Sequence, residues 1–374
     1  MAKAVYVGVN SKARKMKKAY IGIGGKARKV KKMYIGVGGK ARLCYSAELE
    51  RYGMAAALST ARYDMRAATV GKYALFAGGL APNPFFGDDA SSSVDAYNTS
   101  LTKSTPTELS CKRCGHAAAS VGGYALFAGG ASSYNILGFY ENLVSAVDAY
   151  DASLTRSAAH IIGATAAIGG AAVGNYALFA GGTVYSQVNK DNVTSDVLAY
   201  DPSLTFTTAP LLSVARANVK GASAGNYALF AGGRAGSFCT TVDAYNASLT
   251  RTTATALSST KNNSAAATVG NHAIFVGNTA SADIYDASLT KTSAAILSTA
   301  RNRLAATTVG DYAIFSGGGV ADFCDASLTR SNIGTSMTGY DMGAATIGDY
   351  ALFAGGHSGE KSDTAYDSVE VYTA

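Results

Sequence analysis

The chain has 374 residues, with 42 glycines, 5 prolines, no tryptophan and a formal net charge of +7. No run of about 18 apolar residues occurs and no apolar stretch follows the charged N-terminus, so neither a transmembrane helix nor a signal peptide is expected. The charge is split: residues 1–45 hold 13 Lys/Arg and no Asp/Glu, whereas residues 46–374 hold 19 Lys/Arg and 25 Asp/Glu, a net of −6. That asymmetry predicts two units, an anchor or oligomerisation segment at 1–45 and a repeat domain at 46–374.

In the arm, Tyr6, Tyr20 and Tyr34 recur every 14 residues. Each unit reads as a short β-branched strand (Tyr20-Ile-Gly-Ile), a Gly-Gly or Asn-Ser turn and a basic second strand. Gly24-Gly25 permits the positive φ angles of a tight hairpin turn. A lone hairpin is marginally stable in water. The units must therefore pair with each other, with further copies of the chain in a homo-oligomer, or with a partner's sheet edge. Dense lysines discourage indiscriminate edge pairing and favour an acidic docking surface. The candidate anchor residues are Tyr6, Lys12, Arg14, Tyr20, Lys26, Arg28, Tyr34, Lys40 and Arg42. Charge alone also suits nucleic acid, but the regular strand–turn period favours a folded module over a nucleic-acid-binding tail.

The tandem Tyr-Ile-Gly-Val-Gly-Gly-Lys-Ala-Arg strings resemble N-terminal segments of virion-associated proteins of tailed phages and prophages of Gram-positive bacteria. The resemblance covers residues 4–46. It implies a structural or adsorption protein, docked through residues 1–45 on other virion proteins.

The body repeats one string seven times: it starts at Tyr73, Tyr124, Tyr176, Tyr227, His272, Tyr312 and Tyr350, and reads YALFAGG in its commonest form. The spacings of 51, 52, 51, 45, 40 and 38 residues are those of propeller blades. Around each string lie a small-residue strand a (Ala67-Ala-Thr-Val70), strand b (YALFAGG), strand c (Val94-Asp-Ala-Tyr97) and a strand d of the type Ser-Leu-Thr-Arg. The paired glycines after strand b and the Tyr-Asp or Tyr-Asn at the end of strand c resemble kelch repeats. Kelch blades carry a tryptophan in strand d, where this chain has Leu-Thr at Leu101, Leu154, Leu204, Leu249, Leu289 and Leu328, so lighter packing between blades is expected. The resemblance implies an all-β, seven-bladed kelch-like propeller of four-stranded blades, without carrying over kelch partner functions. The chain stops after the seventh strand c, and residues 46–58 match a d-strand segment. The N-terminal segment is therefore expected to complete the last blade and close the ring.

Function is expected where the repeats differ. The b–c loops run 80–93, 131–146, 183–196, 234–241, 279–281, 319–320 and 357–368. They predict a raised wall on one side of one face, carrying Phe85, Phe86, Tyr134, Phe139, Tyr140 and Tyr185. Aromatic rings beside Asp/Asn groups suit sugar recognition or protein contact. The d–a connections add Arg62, Arg113, Arg216, Lys261 and Arg301. These read either as one loop-ordering hydrogen bond per blade or as a partly positive rim for acidic glycans.

Catalytic chemistry has little footing. The four histidines lie in different repeats without ligand spacing, and Cys111-Lys-Arg-Cys114 is a lone C-x-x-C. Five cysteines, an odd number at irregular spacing, read as reduced thiols; Cys324 replaces a repeat tyrosine as a small buried hydrophobe. Sialidase-type Ser-x-Asp-x-Gly-x-Thr-Trp boxes are absent, and the Tyr/His/Cys cluster of copper oxidases on kelch-like rings is left open. The expected protein is a non-enzymatic virion component without cofactor or metal: a head or tail fibre or decoration protein, made in a bacterial cytoplasm, presenting the propeller to a host cell surface or mucosal glycan. An intracellular interaction scaffold and a glycan-acting propeller enzyme are the alternatives.

Overall fold

The computed structural model describes residues 6–9, 12–15, 19–23, 26–30, 32–37, 40–46 and 48–374, apart from 84–87, 136–139, 185–191, 262–264, 336 and 360–363; before residue 48, side chains are described only at 19, 21, 22, 30 and 33–36. The arm forms three antiparallel hairpins: Tyr6–Val9 with Lys12–Lys15, Tyr20–Ile23 with Lys26–Lys29, and Lys32–Val37 with Lys40–Ser46. Val9, Ile23 and Val37 lie opposite Lys12, Lys26 and Lys40, so a two-residue connection joins each pair.

Every regular element of the described residues is β, and eight four-stranded antiparallel sheets give a propeller-like architecture. Seven sheets share one order. In the first it is Arg66–Val70 (a), Tyr73–Ala77 (b), Val94–Asn98 (c) and Lys103–Ser104 (d). The other inner strands are Ala117–Val121, Gly169–Val173, Lys220–Ala224, Ala265–Val269, Ala305–Val309 and Gly343–Ile347. Each packs beside the next, and the last packs beside the first. The seventh sheet takes its outer strand from the start of the body: Glu50–Met54 pairs with Val369–Thr373, Glu370 facing Met54.

Strand b is apolar throughout because both its faces are covered. Ala74 and Phe76 pack with Leu352 and Val371 of the seventh sheet, whereas Leu75 and Ala77 pack with Ala125 and Phe127 of the second. Alternate side chains of one strand thus belong to two cores. On six of the seven sheets the b-strand phenylalanine meets the c-strand tyrosine edge-on, as in Phe76–Tyr97 and Phe127–Tyr150, both 5.9 Å between centroids, and the sixth has Cys324 in place of the tyrosine. On the first five sheets the tyrosine hydroxyl then donates to a carbonyl of the preceding connection, Ala56 for Tyr97 and Thr107 for Tyr150, whereas Tyr372 of the seventh donates to the Glu370 carboxylate.

The a–b turns lock neighbouring sheets. Gly71 has φ +54, and a Cβ there would lie 2.9 Å from Ala152 Cβ on the second sheet's c–d turn. The same contact recurs from Gly122 to Pro202, Gly174 to Ala247, Gly225 to Ala287, Gly270 to Ala326 and Gly310 to Ala374; Gly348 returns to Thr99 of the first sheet.

Strand d differs from the sequence expectation. The leucines expected within it, Leu101, Leu154, Leu204, Leu249, Leu289 and Leu328, lie in the c–d turns with φ between 57 and 65°, and strand d starts after them. The cause is the residue ending strand c. Asp151 Oδ1 accepts from the N–H groups of Ser153 and Thr155 at 2.8 and 2.9 Å, an Asx turn that carries Leu154 into the left-handed region. The side chain packs against the preceding sheet, Leu154 on the first and Leu204 on the second.

A belt of hydroxyls ties the inner strands together. Ser120 donates to Thr69 O at 2.7 Å and Thr69 to Thr346 O at 2.8 Å. Thr346 donates to Thr308 O, Thr308 to Thr268 O, Thr268 to Ser223 O and Ser223 to Ala172 O. Below the loops, these strands enclose an axial cavity of about 380 Å³ lined by alanine, glycine, serine and threonine.

Candidate functional site

The uneven face carries the eighth sheet. The b–c loops of the first two sheets supply its strands, Leu80–Ala81, Asp88–Ala90, Ala131–Tyr134 and Tyr140–Leu143, with Asp88 opposite Tyr134 and Asp89 opposite Ser133 across the boundary between them. The expected wall is thus partly a hydrogen-bonded sheet spanning two repeats. Tyr134 and Tyr140 face each other with centroids 5.2 Å apart. Burial, helped by the Asp64 charge, pushes the Tyr134 phenol up to about 12 and Tyr140 well above its ordinary value. The Tyr140 ring lies on Gly115, where a Cβ would meet its Cε1 at 2.5 Å. Tyr63 donates to Asp88, joining the wall to the ring. Phe85, Phe86, Phe139 and Tyr185 lie outside the described residues.

The basic residues of the d–a connections do not form a free rim. Arg62, Arg113 and Arg216 are 0% exposed, because each turns inward to the strand-c aspartate of the sheet it introduces. Arg62 meets Asp95 at 2.9 Å, Arg216 meets Asp243 at 2.9 Å, and Arg113 pairs with Asp148. Lys261 reaches Asp283 at 3.4 Å, and Arg301 pairs with Asp322. A strand-d cation approaches the same carboxylate from outside, such as Arg156 at 2.8 Å from Asp148 or Arg251 at 3.3 Å from Asp243. A serine completes the set, Ser59 donating both N–H and Oγ to Asp95. The third sheet omits the device on both sides, with Thr165 in place of the arginine and Leu198 in place of the aspartate. In the seventh, Glu370 stands at the aspartate position and is held by Arg51 of the closing strand. Of the predicted arginines, Arg301 also lines a surface cavity of about 270 Å³, with Asn278, Asn302 and Tyr340.

A second polar group at the axial mouth was not anticipated. The residues two before the inner strands, Asp64, Gly115, Ala167, Asn218, Arg303 and Asp341, all have φ between 51 and 58°. Their backbones link in succession: Asp64 N–H donates to Asp341 O at 2.9 Å, Asp341 N–H to Arg303 O at 3.0 Å, and Asn218 N–H to Ala167 O at 2.7 Å. Asp64 holds Arg66 at 2.8 Å and accepts from Gly115 N–H at 2.9 Å. Asp341 lies 3.1 Å from His357 Nε2 and 3.7 Å from Arg303 Nε, and Tyr63 packs on His357 at 4.6 Å between centroids. The signal was available in Arg62-Tyr-Asp-Met65, whose last three residues recur in Gly339-Tyr-Asp-Met342.

The anchor residues all fall on hairpin strands. By alternation, positions 12, 14, 26, 28, 40 and 42 share a hairpin face with the β-branched positions 7, 9, 21, 23, 35 and 37. Ile21, Tyr34 and Ile35 are more than half exposed.

Other reactive groups are absorbed by the fold. Cys111, Cys114, Cys239 and Cys324 are free thiols, and burial pushes Cys114 and Cys324 up, the latter to about 12. Among the described residues, no three His, Cys, Asp or Glu side chains gather to hold a metal. Contrary to the expectation that no G-x-S-x-G string occurs, Gly221-Ala-Ser-Ala-Gly225 fits that nucleophile pattern. It lies along an inner strand and its a–b turn, not at a strand-to-helix elbow, and Ser223 Oγ donates to Ala172 O.

No family model matches the chain, and no curated protein matches it in sequence. Among solved structures, it is similar to one titled "Structure of YjhT", with 13% identity and a TM-score of 0.54 over 86% of this chain and 99% of that one. At that identity the likeness speaks to fold alone.

Proposed function

We propose that the protein is a non-enzymatic virion component of the head or tail fibre or decoration type, in which the basic hairpin arm docks on a phage or prophage particle and a seven-bladed, kelch-like propeller presents its wall to a host-surface or mucosal glycan. The observation that carries the reading is the pairing of two unlike surfaces in one chain. Three tandem hairpins rich in lysine and arginine, with Ile21, Tyr34 and Ile35 exposed, precede a ring over one face of which a loop-built sheet stands. The first suits a structured, acidic mounting surface. The second suits a ligand outside the particle. The blade count is supported by the seven sheets of one order and by the cyclic contacts of their inner strands and turns.

Mass spectrometry of purified particles from an induced source culture tests the proposal. The expected result is this chain at many copies per particle. Particles that lack it, from cells whose lysate contains it, would overturn the proposal in favour of an intracellular scaffold.

A further inference from the structure

At the axial mouth the described cations outnumber the anions by one. Arg66, Lys220 and Arg303 stand against Asp64 and Asp341. Asp64 is taken by Arg66 and by Gly115 N–H; Asp341 is shared by Arg303 and His357. Lys220 remains. Among the described residues its ammonium has neither a hydrogen bond nor an ion pair. It is the first residue of the fourth inner strand, at the loop-face end of the axial cavity that Gly221, Ala222 and Ser223 line farther down.

Lys220 is half-buried. Burial lowers the Lys220 amine to about 8, Arg66 pushes the same way, and Asp64 and Asp341 pull back. These groups come from strands and connections of the first, fourth and seventh sheets, so they converge on the axis from different sides. Partial withdrawal from water disfavours the charged form of an amine that has no direct ion pair, and a bound anion offsets that effect.

We propose that the axial mouth is an oxyanion site, in which one carboxylate or phosphate group binds the Lys220 ammonium with Arg66 as the second cation. The site belongs to the body and is independent of the arm and of any particle. Its affinity follows the charge on Lys220: it is retained while the amine is protonated and falls as pH rises through about 8.

Titration calorimetry of the full chain with acetate, D-glucuronate and inorganic phosphate, with D-glucose as the uncharged control, provides the test. Saturable one-to-one binding of at least one oxyanion is expected at pH 6.5. It should weaken at least tenfold at pH 9.5 and at least tenfold in Lys220→Met, while glucose does not bind. Binding of phosphate alone assigns a phosphate-bearing ligand; binding of acetate and glucuronate assigns a carboxylate. Absence of binding by all three anions, or binding indifferent to pH and to Lys220→Met, overturns the proposal. Should that variant not fold, acylation of Lys220 in the wild-type chain, read by peptide mass spectrometry, decides instead: the bound anion must slow labelling at Lys220 more than at exposed Lys72, and equal slowing rejects the site.

Discussion

Ser223 donates its hydroxyl to the carbonyl oxygen of Ala172 at 2.7 Å, and Ala172 has no hydroxyl to pass on. The belt therefore stops at one of the seven boundaries between inner strands. Ala172 is open to the channel, and by the pattern of its equivalents a hydroxyl there reaches Ser120 O. Ala172→Ser should add about 1 kcal/mol and raise Tm by roughly 1–2 °C in a chain of this size. Ala172→Val, which adds bulk without a donor, should not. Thermal unfolding followed by circular dichroism distinguishes them, and equal shifts would remove the belt as the cause.

The buried ion pairs predict strong coupling. Asp243→Leu leaves the buried Arg216 guanidinium facing an apolar side chain, at a cost of about 3–5 kcal/mol. Adding Arg216→Thr reproduces the third sheet, with its Leu198 and Thr165, and should restore at least half of the loss. A double-mutant cycle by urea unfolding measures this. Additive losses would show that the pair is not the unit that matters.

His116 makes stability depend on pH. It is fully buried at a position where other sheets have Met65, Ile168, Val219, Leu304 and Met342. Its ring nitrogens lack a well-formed hydrogen bond, the backbone of Ala77 offering only a weak one. Burial, then Arg113 and Arg66, hold its pKa well below 6.5. The unfolded chain thus takes up a proton near pH 6.5 that the folded chain refuses, so this contribution is full above about pH 7 and is lost as pH falls toward the folded pKa. His116→Met should flatten Tm against pH between about 5 and 7 and raise it most at the acid end. An unchanged slope would mean that other groups govern acid sensitivity.

Removing the closing strand should undo the body. Without residues 48–54, the edge of Val369–Thr373 loses its partner strand and the buried Glu370 loses Arg51. The truncated chain is expected to lose its cooperative thermal transition, and a retained transition would contradict closure by this strand.

The wall aromatics carry the recognition proposal. Replacing Phe85, Phe86 and Tyr140 with alanine should abolish binding to the host surface while leaving the melting profile of the ring nearly intact. Pull-down on whole cells reads the outcome, and undiminished binding would move recognition elsewhere.

The repeats made the sheets legible, because the b strand is covered on both faces and must be apolar along its whole length. Closure was legible for a related reason, since residues 46–58 echo an outer strand that the last repeat lacks. The leucine turns were misread because Leu-Thr alone suggests a strand; the deciding atom is Asp151 Oδ1, which captures the following N–H groups. Of the two readings of the d–a cations, the inward, loop-ordering one matches the ion pairs and the positive rim does not, because the sequence shows a charge without showing which way it turns. The aspartate of strand c held that answer, as the third sheet shows by losing Thr165's arginine and Leu198's aspartate together. Lys220 was not singled out because its repeat equivalents are Arg66, Ala117, Gly169, Ala265, Ala305 and Gly343, a position with no fixed chemistry.

The closing strand also sets an order of events on the ribosome. Arg51 and Glu370 are 319 residues apart in the chain, which at 5–20 residues per second is about 15–60 s of synthesis. The first strand of the body to emerge is thus among the last to find its partner. Six sheets can form from neighbouring segments while the growing structure remains an open arc. During that wait the arc exposes an unpaired edge and two uncovered apolar flanks. The lysine-rich hairpins precede the body in the chain, so their positive charge is already present throughout the interval when the apolar flanks are bare.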